Sequence, residues 1–149
     1  MAWMKGRTYL VMGDVFSPIN NKLYQFSPKN ILIQKVEEMK QAGYIVKGAS
    51  ELEYYLYNKK YSENYLKGLT KLKEMGSHSE DYLIQQGDKL DYIYEKFRTK
   101  LRDSGVAIET TKGEASIGQH EINVAHSDTV TMSDIILVLK SVKENILIN

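Results

Sequence analysis

Two glutamates seven residues apart in the segment GEASIGQHE constrain the fold of this chain more than any other feature. On one continuous strand Glu114 and Glu121 would face opposite ways, because side chains alternate and the spacing is odd. Gly113 and Gly118 instead indicate a tight reversal between two strands, since glycine adopts backbone angles that other residues resist. A helix would also align the two carboxylates, but its two glycines argue against it. The segment therefore predicts a hairpin that carries both carboxylates on one face.

A second pair of acids lies in the earlier sequence SELEYYLY. On a strand, Glu51 and Glu53 would face one side of a sheet, while Leu52 and Tyr54 would face the other. This pattern is also that of an ordinary half-exposed sheet, and the pair alone leaves both interpretations open.

Convergence of the two acidic pairs would require a counter-charge. Two like charges about 4 Å apart repel by roughly 4 kcal/mol at an effective dielectric near 20. Either some carboxyl groups keep their protons at raised pKa values, or a cation neutralises the cluster. Oxygen ligands select hard divalent ions, so the cation would be Mg²⁺ or Mn²⁺.

Composition narrows the function classes. The chain has 149 residues, 42% of them hydrophobic and 26% charged, which is typical of one soluble globular domain. A net charge of +1 gives no electrostatic reason to expect nucleic acid or a membrane as partner. No cysteine is present, and the N-terminus lacks the pattern of a signal peptide. We expect a cytoplasmic protein.

Local patterns predict strands and helices mixed along the chain, hence an α+β fold: a mostly antiparallel sheet with helices packed on one side. Residues 58–80 are polar, and either form a short helix ending at Gly76 or are a variable insertion. The other expected elements are a strand Thr8–Val15, a helix from Ser27-Pro28 to Gly43, strands in YIVK and ELEYYLY separated by GAS, a helix Gly87–Arg102, strands in VAIET and QHEINVA, and a last helix capped by Asp128 or Ser133.

Taken in order, GASELEYYLY and KGEASIGQHEINVAHSD resemble the glutamine synthetase family, in which an E-x-E strand and an E…GQ-x-E hairpin line a metal-binding active site. RTYLVMGDVFSPINNKLYQFSPKNIL and GDKLDYIYEKFRTKLRDSGVAIE are similar to earlier parts of the same catalytic domain. The resemblance implies one partial catalytic domain over residues 1–149, with residues 58–80 as its variable insertion. The family's remaining metal ligands, a histidine and a further glutamate, and its phosphate-binding arginines are expected downstream.

The resemblance also implies roles for individual residues. Glu53, Glu114 and Glu121 resemble the ligands of the metal that orients the substrate carboxylate, and Glu51 resembles a ligand of a second metal. Glu109 lies where the family places a glutamate that contacts the nucleotide, although a solvated strand end explains it equally well. No residue is assigned as a catalytic acid or base. His120 neighbours Glu121 on a strand and is expected to point away from it.

The implied activity is that of an ATP-dependent glutamate–ammonia ligase, which forms a γ-glutamyl amide through γ-glutamyl phosphate with two divalent metals, Mg²⁺ or Mn²⁺. A ligase that uses another amine is an alternative. So is a non-catalytic family member that only folds, associates and binds metal weakly. The 149-residue chain by itself is expected to be inactive. Exposed strand edges and apolar patches predict self-association into homo-oligomers.

Overall fold

The computed structural model describes residues 8–58 and 72–148, which form an α+β unit. Their helices and strands follow in the order α1 Pro28–Gln41, β1 Lys47–Tyr55, α2 Ile84–Arg102, β2 Ile108–Gly113, β3 Gln119–Asp128 and α3 Thr129–Ile148. The expected combination of an antiparallel sheet with helices is confirmed.

The three strands form one antiparallel sheet in the order β1-β3-β2, so β3 is central. Glu53 on β1 and Lys112 on β2 are both register partners of Glu121 on β3. The register shifts twice, between Gly48 and Ser50 in β1 and between Ile108 and Thr110 in β2. Because side chains alternate along each strand, this register places the acids of different strands on one face.

The opposite face of the sheet carries the apolar core beneath α2 and α3. Tyr54 packs against Phe97 with ring centroids 5.6 Å apart. Phe97, Leu101, Ile122 and Leu139 have no exposed surface. Packing on this face holds β3 in position, because side chains from both helices and from the neighbouring strands contact its buried residues. The buried apolar residues are Tyr54, Leu56, Leu90, Ile93, Tyr94, Phe97, Leu101, Val106, Ile122, Val124, Met132, Leu139 and Val142.

The helix ends follow the sequence signals. Pro28 opens α1, and Gly43 lies just beyond its end with φ +88°. Asp128 caps α3, because its Oδ1 accepts a hydrogen bond of 2.9 Å from the Thr131 N–H. The Ser133 hydroxyl instead donates to the Val130 carbonyl, so of the two candidate caps Asp128 is the one used.

Two predicted strands differ from the structure. The segments YIVK and ELEYYLY were expected as separate strands, but a single strand, β1, runs from Lys47 through GAS to Tyr55. The register shift between Gly48 and Ser50 accommodates GAS as an irregularity within the strand, so no turn forms there.

The predicted strand Thr8–Val15 is also absent among the described residues. An extended segment becomes a strand only by pairing, and the bridge in this region joins Phe16 to Leu23. The possible helix before Gly76 falls largely on residues 59–71, outside the described part of the chain.

The segment from residue 15 to residue 24 is attached to α1 by hydrogen bonds. The Asn30 side chain is fully buried and donates hydrogen bonds to the carbonyls of Val15 and Tyr24, at 3.1 and 3.0 Å. Lys29 forms an ion pair of 2.9 Å with Asp134 on α3. None of the helices in the described ranges combines the length and apolarity needed to span a membrane.

Candidate active site

The acids predicted from the sequence lie on the uncovered face of the sheet, here called the carboxylate face: the face carrying Glu51, Glu53, Glu114 and Glu121. Glu53 and Glu121 are direct cross-strand partners. Glu51 is two residues from Glu53 and pairs with Asn123, which is two residues from Glu121. Directly opposite residues in an antiparallel pair have Cβ atoms about 5 Å apart, so Glu53 and Glu121 can share one ligand.

The predicted reversal between Glu114 and Glu121 is present. Residues 114–118 connect β2 to β3, and the Glu114 N–H donates to the Gln119 carbonyl at 2.9 Å. Gly118 has φ +72°, a conformation that L side chains resist, and a Cβ there would lie 3.0 Å from the carbonyl oxygens of Leu56 and Met75. The expectation for Gly118 is confirmed.

Gly113 serves a different purpose from the one expected. Its φ is not positive, but a Cβ at this position would overlap the Glu80 Cβ and lie 2.9 Å from Glu80 Oε2. Gly113 therefore provides space rather than backbone freedom. It allows the segment around Glu80 to lie directly against the end of β2.

Glu114 and Glu121 converge, and an ammonium group lies between them. Lys112 Nζ contacts Glu114 Oε1 and lies 3.4 Å from Glu121 Oε2. Burial raises the pKa of Glu121, which is 4% exposed, and a hydrogen bond to Glu114 raises this pKa further. The same hydrogen bond from Glu121, together with one from Lys112, lowers the pKa of Glu114 to about 2. Of these two carboxyl groups, Glu121 is therefore the one with the higher pKa.

Glu53 is held by an amide side chain. Gln119 Nε2 donates to Glu53 Oε2 at 2.7 Å, while Gln119 Oε1 accepts from the Ser116 N–H at 3.2 Å. Gln119 thereby joins the turn between β2 and β3 to strand β1. It received no role from the sequence, although its position two residues before Glu121 places it on the same strand face.

Three further residues of the site were missed. Lys112 is two residues before Glu114, so strand periodicity alone could have placed it on the carboxylate face. Asp81 Oδ1 lies 3.7 Å from Lys112 Nζ, and the neighbouring Tyr82 ring centroid is 5.3 Å from the same nitrogen. No sequence signal points to Asp81 or Tyr82, because both reach the site from a segment outside the sheet.

Glu109 lies apart from the other acids. It falls at the register shift between Ile108 and Thr110, and it lines a cleft of about 780 Å³ between α2 and β2. Arg102 and Thr99 of α2 line the same cleft. Contact between Glu109 and a nucleotide stays a prediction.

The opposite side of β3 is closed to solvent. His120 has no exposed surface, and its Nδ1 is hydrogen-bonded to the Tyr94 hydroxyl at 2.7 Å. Burial lowers the pKa of His120 to about 4, so the ring is uncharged at neutral pH. Glu80 is 2% exposed, with Oε2 4.0 Å from His120 Nδ1, and burial raises its pKa. His120 points away from the carboxylate face, as predicted.

The donor chemistry of the carboxylate face fits a hard divalent cation. Glu53 on β1, Glu121 on β3 and Glu114 in the connection between β2 and β3 offer carboxylate oxygens, and Gln119 adds an amide oxygen. Within residues 8–58 and 72–148, however, no three His, Cys, Asp or Glu groups are already arranged to hold a metal ion. The contacts of Lys112 with Glu114 and Glu121, and of Gln119 with Glu53, engage the oxygens that a metal would need.

Comparisons with known proteins identify the family and agree with the fold. The family model of the glutamine synthetase catalytic domain matches residues 25–147. A glutamate–isopropylamine ligase from a Pseudomonas species is 27% identical over 139 residues, which are 93% of this chain and 30% of that protein. A glutamine synthetase from Methanosarcina mazei is 23% identical over 141 residues, which are 95% of this chain and 30% of that protein. A solved structure described as a novel glutamine synthase homolog superposes with a TM-score of 0.66 at 16% identity, over 85% of this chain and 26% of that one.

A sheet that carries acids from neighbouring strands on the face opposite its helices defines the class: an α+β domain with an acidic sheet face. The chain belongs to the glutamine synthetase family, in which it matches the catalytic domain. It spans about 30% of the length of the two relatives named above.

Proposed function

We propose that this chain forms part of the active site of an ATP-dependent ligase that joins the side-chain carboxylate of glutamate to ammonia or another amine through γ-glutamyl phosphate. The observation that carries the proposal is the placement of Glu53 and Glu121 as cross-strand partners, with Glu114 and Glu121 contacting one ammonium group, within a catalytic-domain match over residues 25–147. Two relatives support both amine classes, since one is a glutamine synthetase and the other a glutamate–isopropylamine ligase.

Glu53, Glu114 and Glu121 would hold one Mg²⁺ or Mn²⁺, and Glu51 would contribute to a second. Bound divalent metals supply charge neutralisation to phosphoryl transfer between ATP and a carboxylate, two anionic groups that otherwise repel. The four glutamates act as ligands in this proposal and transfer no proton. Gln119 orients Glu53 through its 2.7 Å hydrogen bond, and Glu109 would contact the nucleotide from the cleft beside α2.

The metal proposal is tested by a thermal-shift titration with Mn²⁺. A ligand that binds only the folded state adds about 2.7 kcal/mol of stability at a hundredfold excess over its Kd. For a chain of this size that corresponds to a rise in Tm of roughly 5–10 °C. We expect this rise for the wild type and a much smaller one for Glu114→Ala. Glu95→Ala, an exposed change on α2, serves as the control and should behave as the wild type. Equal shifts in all three proteins would contradict the proposal.

The reaction itself is tested with ATP, glutamate and hydroxylamine, by measuring hydroxamate formation. We expect no turnover from the 149-residue chain alone, because its described acids are proposed as metal ligands and no acid, base or phosphate-binding group is assigned among them. Turnover that is abolished by Glu53→Ala would show instead that these residues suffice for catalysis.

Self-association is part of the proposal. Most of the large apolar side chains that are strongly exposed in the described residues lie between Tyr9 and Ile45, with Ile19 and Ile45 about nine-tenths exposed. A surface of this kind is typical of an interface with other protein. Light scattering across a concentration series should show species larger than the monomer, and a monomer at every concentration would contradict this expectation.

A further inference from the structure

Lys112 is the cation of the carboxylate face. It lies on β2 directly opposite Glu121, and its ammonium contacts Glu114, lies 3.4 Å from a Glu121 oxygen and 3.7 Å from an Asp81 oxygen. The Tyr82 ring, 5.3 Å away, adds a cation–π contact. Acids from the β2–β3 connection, from β3 and from the loop before α2 therefore converge on one nitrogen.

The charges explain why a cation lies there. Glu114 and Glu121 both lie against the Lys112 ammonium, and two charged carboxylates about 4 Å apart repel by roughly 4 kcal/mol at an effective dielectric near 20. An ammonium group offsets part of that repulsion without requiring any ligand from solution. The same oxygens are the ones a divalent ion would need, because a hard cation is coordinated by oxygen and tolerates no competing ammonium in its ligand shell.

We propose that Lys112 is an internal counter-ion, which holds the carboxylates together when no metal is bound and competes with the metal for them. The inference rests on the proposed metal site. It makes Lys112 a residue that sets metal affinity: its ammonium lowers the affinity of the site for a divalent cation, while it stabilises the metal-free protein.

The Lys112 ammonium can move away from the carboxylates when a metal binds. Its side chain is 34% exposed, and the unbranched stem of lysine has several rotatable bonds, so the ammonium can move toward solvent without repacking the core. The Glu121 backbone, in contrast, is fixed in the central strand. A metal would therefore displace the lysine rather than the acids.

The test compares Lys112→Met with wild type in two measurements: Mn²⁺ affinity by calorimetry, and Tm in the presence of a chelator. Methionine keeps the length and apolar stem but removes the charge. We expect Mn²⁺ affinity to rise roughly two- to fivefold, the factor that corresponds to one partly exposed ion pair. We expect the metal-free Tm to fall, so the two effects have opposite signs. A residue with a purely structural role would lower both.

Lys140→Met, the same chemical change on the exposed surface of α3, is the matched control and should alter neither measurement. Lys112→Arg keeps the charge and should bind Mn²⁺ no more tightly than wild type; it also tests the inference if Lys112→Met fails to fold, since tighter binding by the arginine variant would overturn it. Unchanged or weaker Mn²⁺ binding by Lys112→Met, beside a wild type that binds, would overturn this inference alone. A wild type that binds no Mn²⁺ would overturn the metal site and this inference with it.

Discussion

Glu121 and Ile122 are neighbours on β3, but their side chains meet opposite environments. Ile122 has no exposed surface and lies in the apolar core beneath the helices. Glu121 is nearly as buried, at 4% exposed, yet its neighbours are Glu114 and Lys112. One residue gains stability from burial, while burial makes the charge of the other costly. Side chains that stabilise the core and side chains that are proposed to bind metal therefore alternate along β3.

The same division applies to the whole central strand. His120 and Val124 share the covered face with Ile122, and Gln119 and Asn123 share the carboxylate face with Glu121. If this division is correct, substitutions on the covered face should change the free energy of unfolding and leave metal affinity in the folded protein unchanged. Substitutions on the carboxylate face should do the reverse.

The largest effect is expected from Ile122→Ala. Removing a fully buried isoleucine side chain from a core costs about 2–5 kcal/mol, through lost burial and the cavity left behind. Urea denaturation should show this loss as a lower midpoint at an unchanged slope. Ile122→Val serves as the milder variant, with an expected cost of about 0.5–1.5 kcal/mol. A loss below about 0.5 kcal/mol for the alanine variant would contradict the assignment of Ile122 to the core.

A smaller effect is expected from Gly113→Ala, which tests the contact between β2 and Glu80. The new Cβ would overlap Glu80, and forcing extra atoms into a packed site typically costs about 1–3 kcal/mol. Gly87→Ala is the matched control, because a Cβ at that position in α2 meets nothing within 4 Å. Alanine is the better helix former by about 1 kcal/mol, so the control should be stabilised. Equal effects of the two substitutions on the urea midpoint would contradict this account of Gly113.

Tyr94→Phe should cost about 1–3 kcal/mol, because it removes the hydroxyl bonded to His120 Nδ1 and leaves a buried polar atom without its partner. Thermal denaturation at neutral pH would measure the loss. Tyr92→Phe, on the same helix but 54% exposed, removes the same hydroxyl from a solvated position and should change Tm little. Mn²⁺ affinity should be the same in both variants, and a selective loss in Tyr94→Phe would mean that the two faces are coupled.

Strand periodicity and glycine chemistry predicted much of this site. The odd spacing of Glu114 and Glu121 required a reversal, and Gly118 with its positive φ provides it. The even spacing of Glu51 and Glu53 placed both on the face opposite Tyr54, as observed. These inferences succeeded because they depend on local backbone geometry, which the sequence determines directly.

Features that depend on distant parts of the chain could not be predicted in the same way. Asp81 reaches Lys112 from a loop, and the need for Gly113 arises from the position of Glu80, so neither has a local signature. The strand expected at Thr8–Val15 was wrong for a related reason: β-propensity describes a segment that can pair, and pairing requires a partner strand that propensity cannot supply.

The smallest effect on stability is expected from Glu121→Gln, although Glu121 is the direct neighbour of Ile122, where the largest effect is expected. The amide removes a charge that burial and Glu114 both disfavour, at the expense of the contact with Lys112. We expect the free energy of unfolding of the metal-free protein to rise by no more than about 1 kcal/mol, as is common where function maintains a destabilising site. Calorimetry should show that Mn²⁺ binding is lost, because the glutamine offers a neutral oxygen in place of a carboxylate.

Glu53→Gln is the informative companion, since Glu53 is exposed and bonded to Gln119 rather than to another acid. It should also weaken Mn²⁺ binding. It should not raise the stability of the metal-free protein, because Glu53 is hydrogen-bonded to an amide and its replacement removes no repulsion from a bonded carboxyl group. A stabilised Glu121→Gln beside a neutral or destabilised Glu53→Gln would locate the electrostatic cost of this face in the Glu114–Glu121 pair. A destabilisation of several kcal/mol by Glu121→Gln, comparable to that of Ile122→Ala, would mean that the acid supports the fold, and the separation of the two faces of β3 would fail.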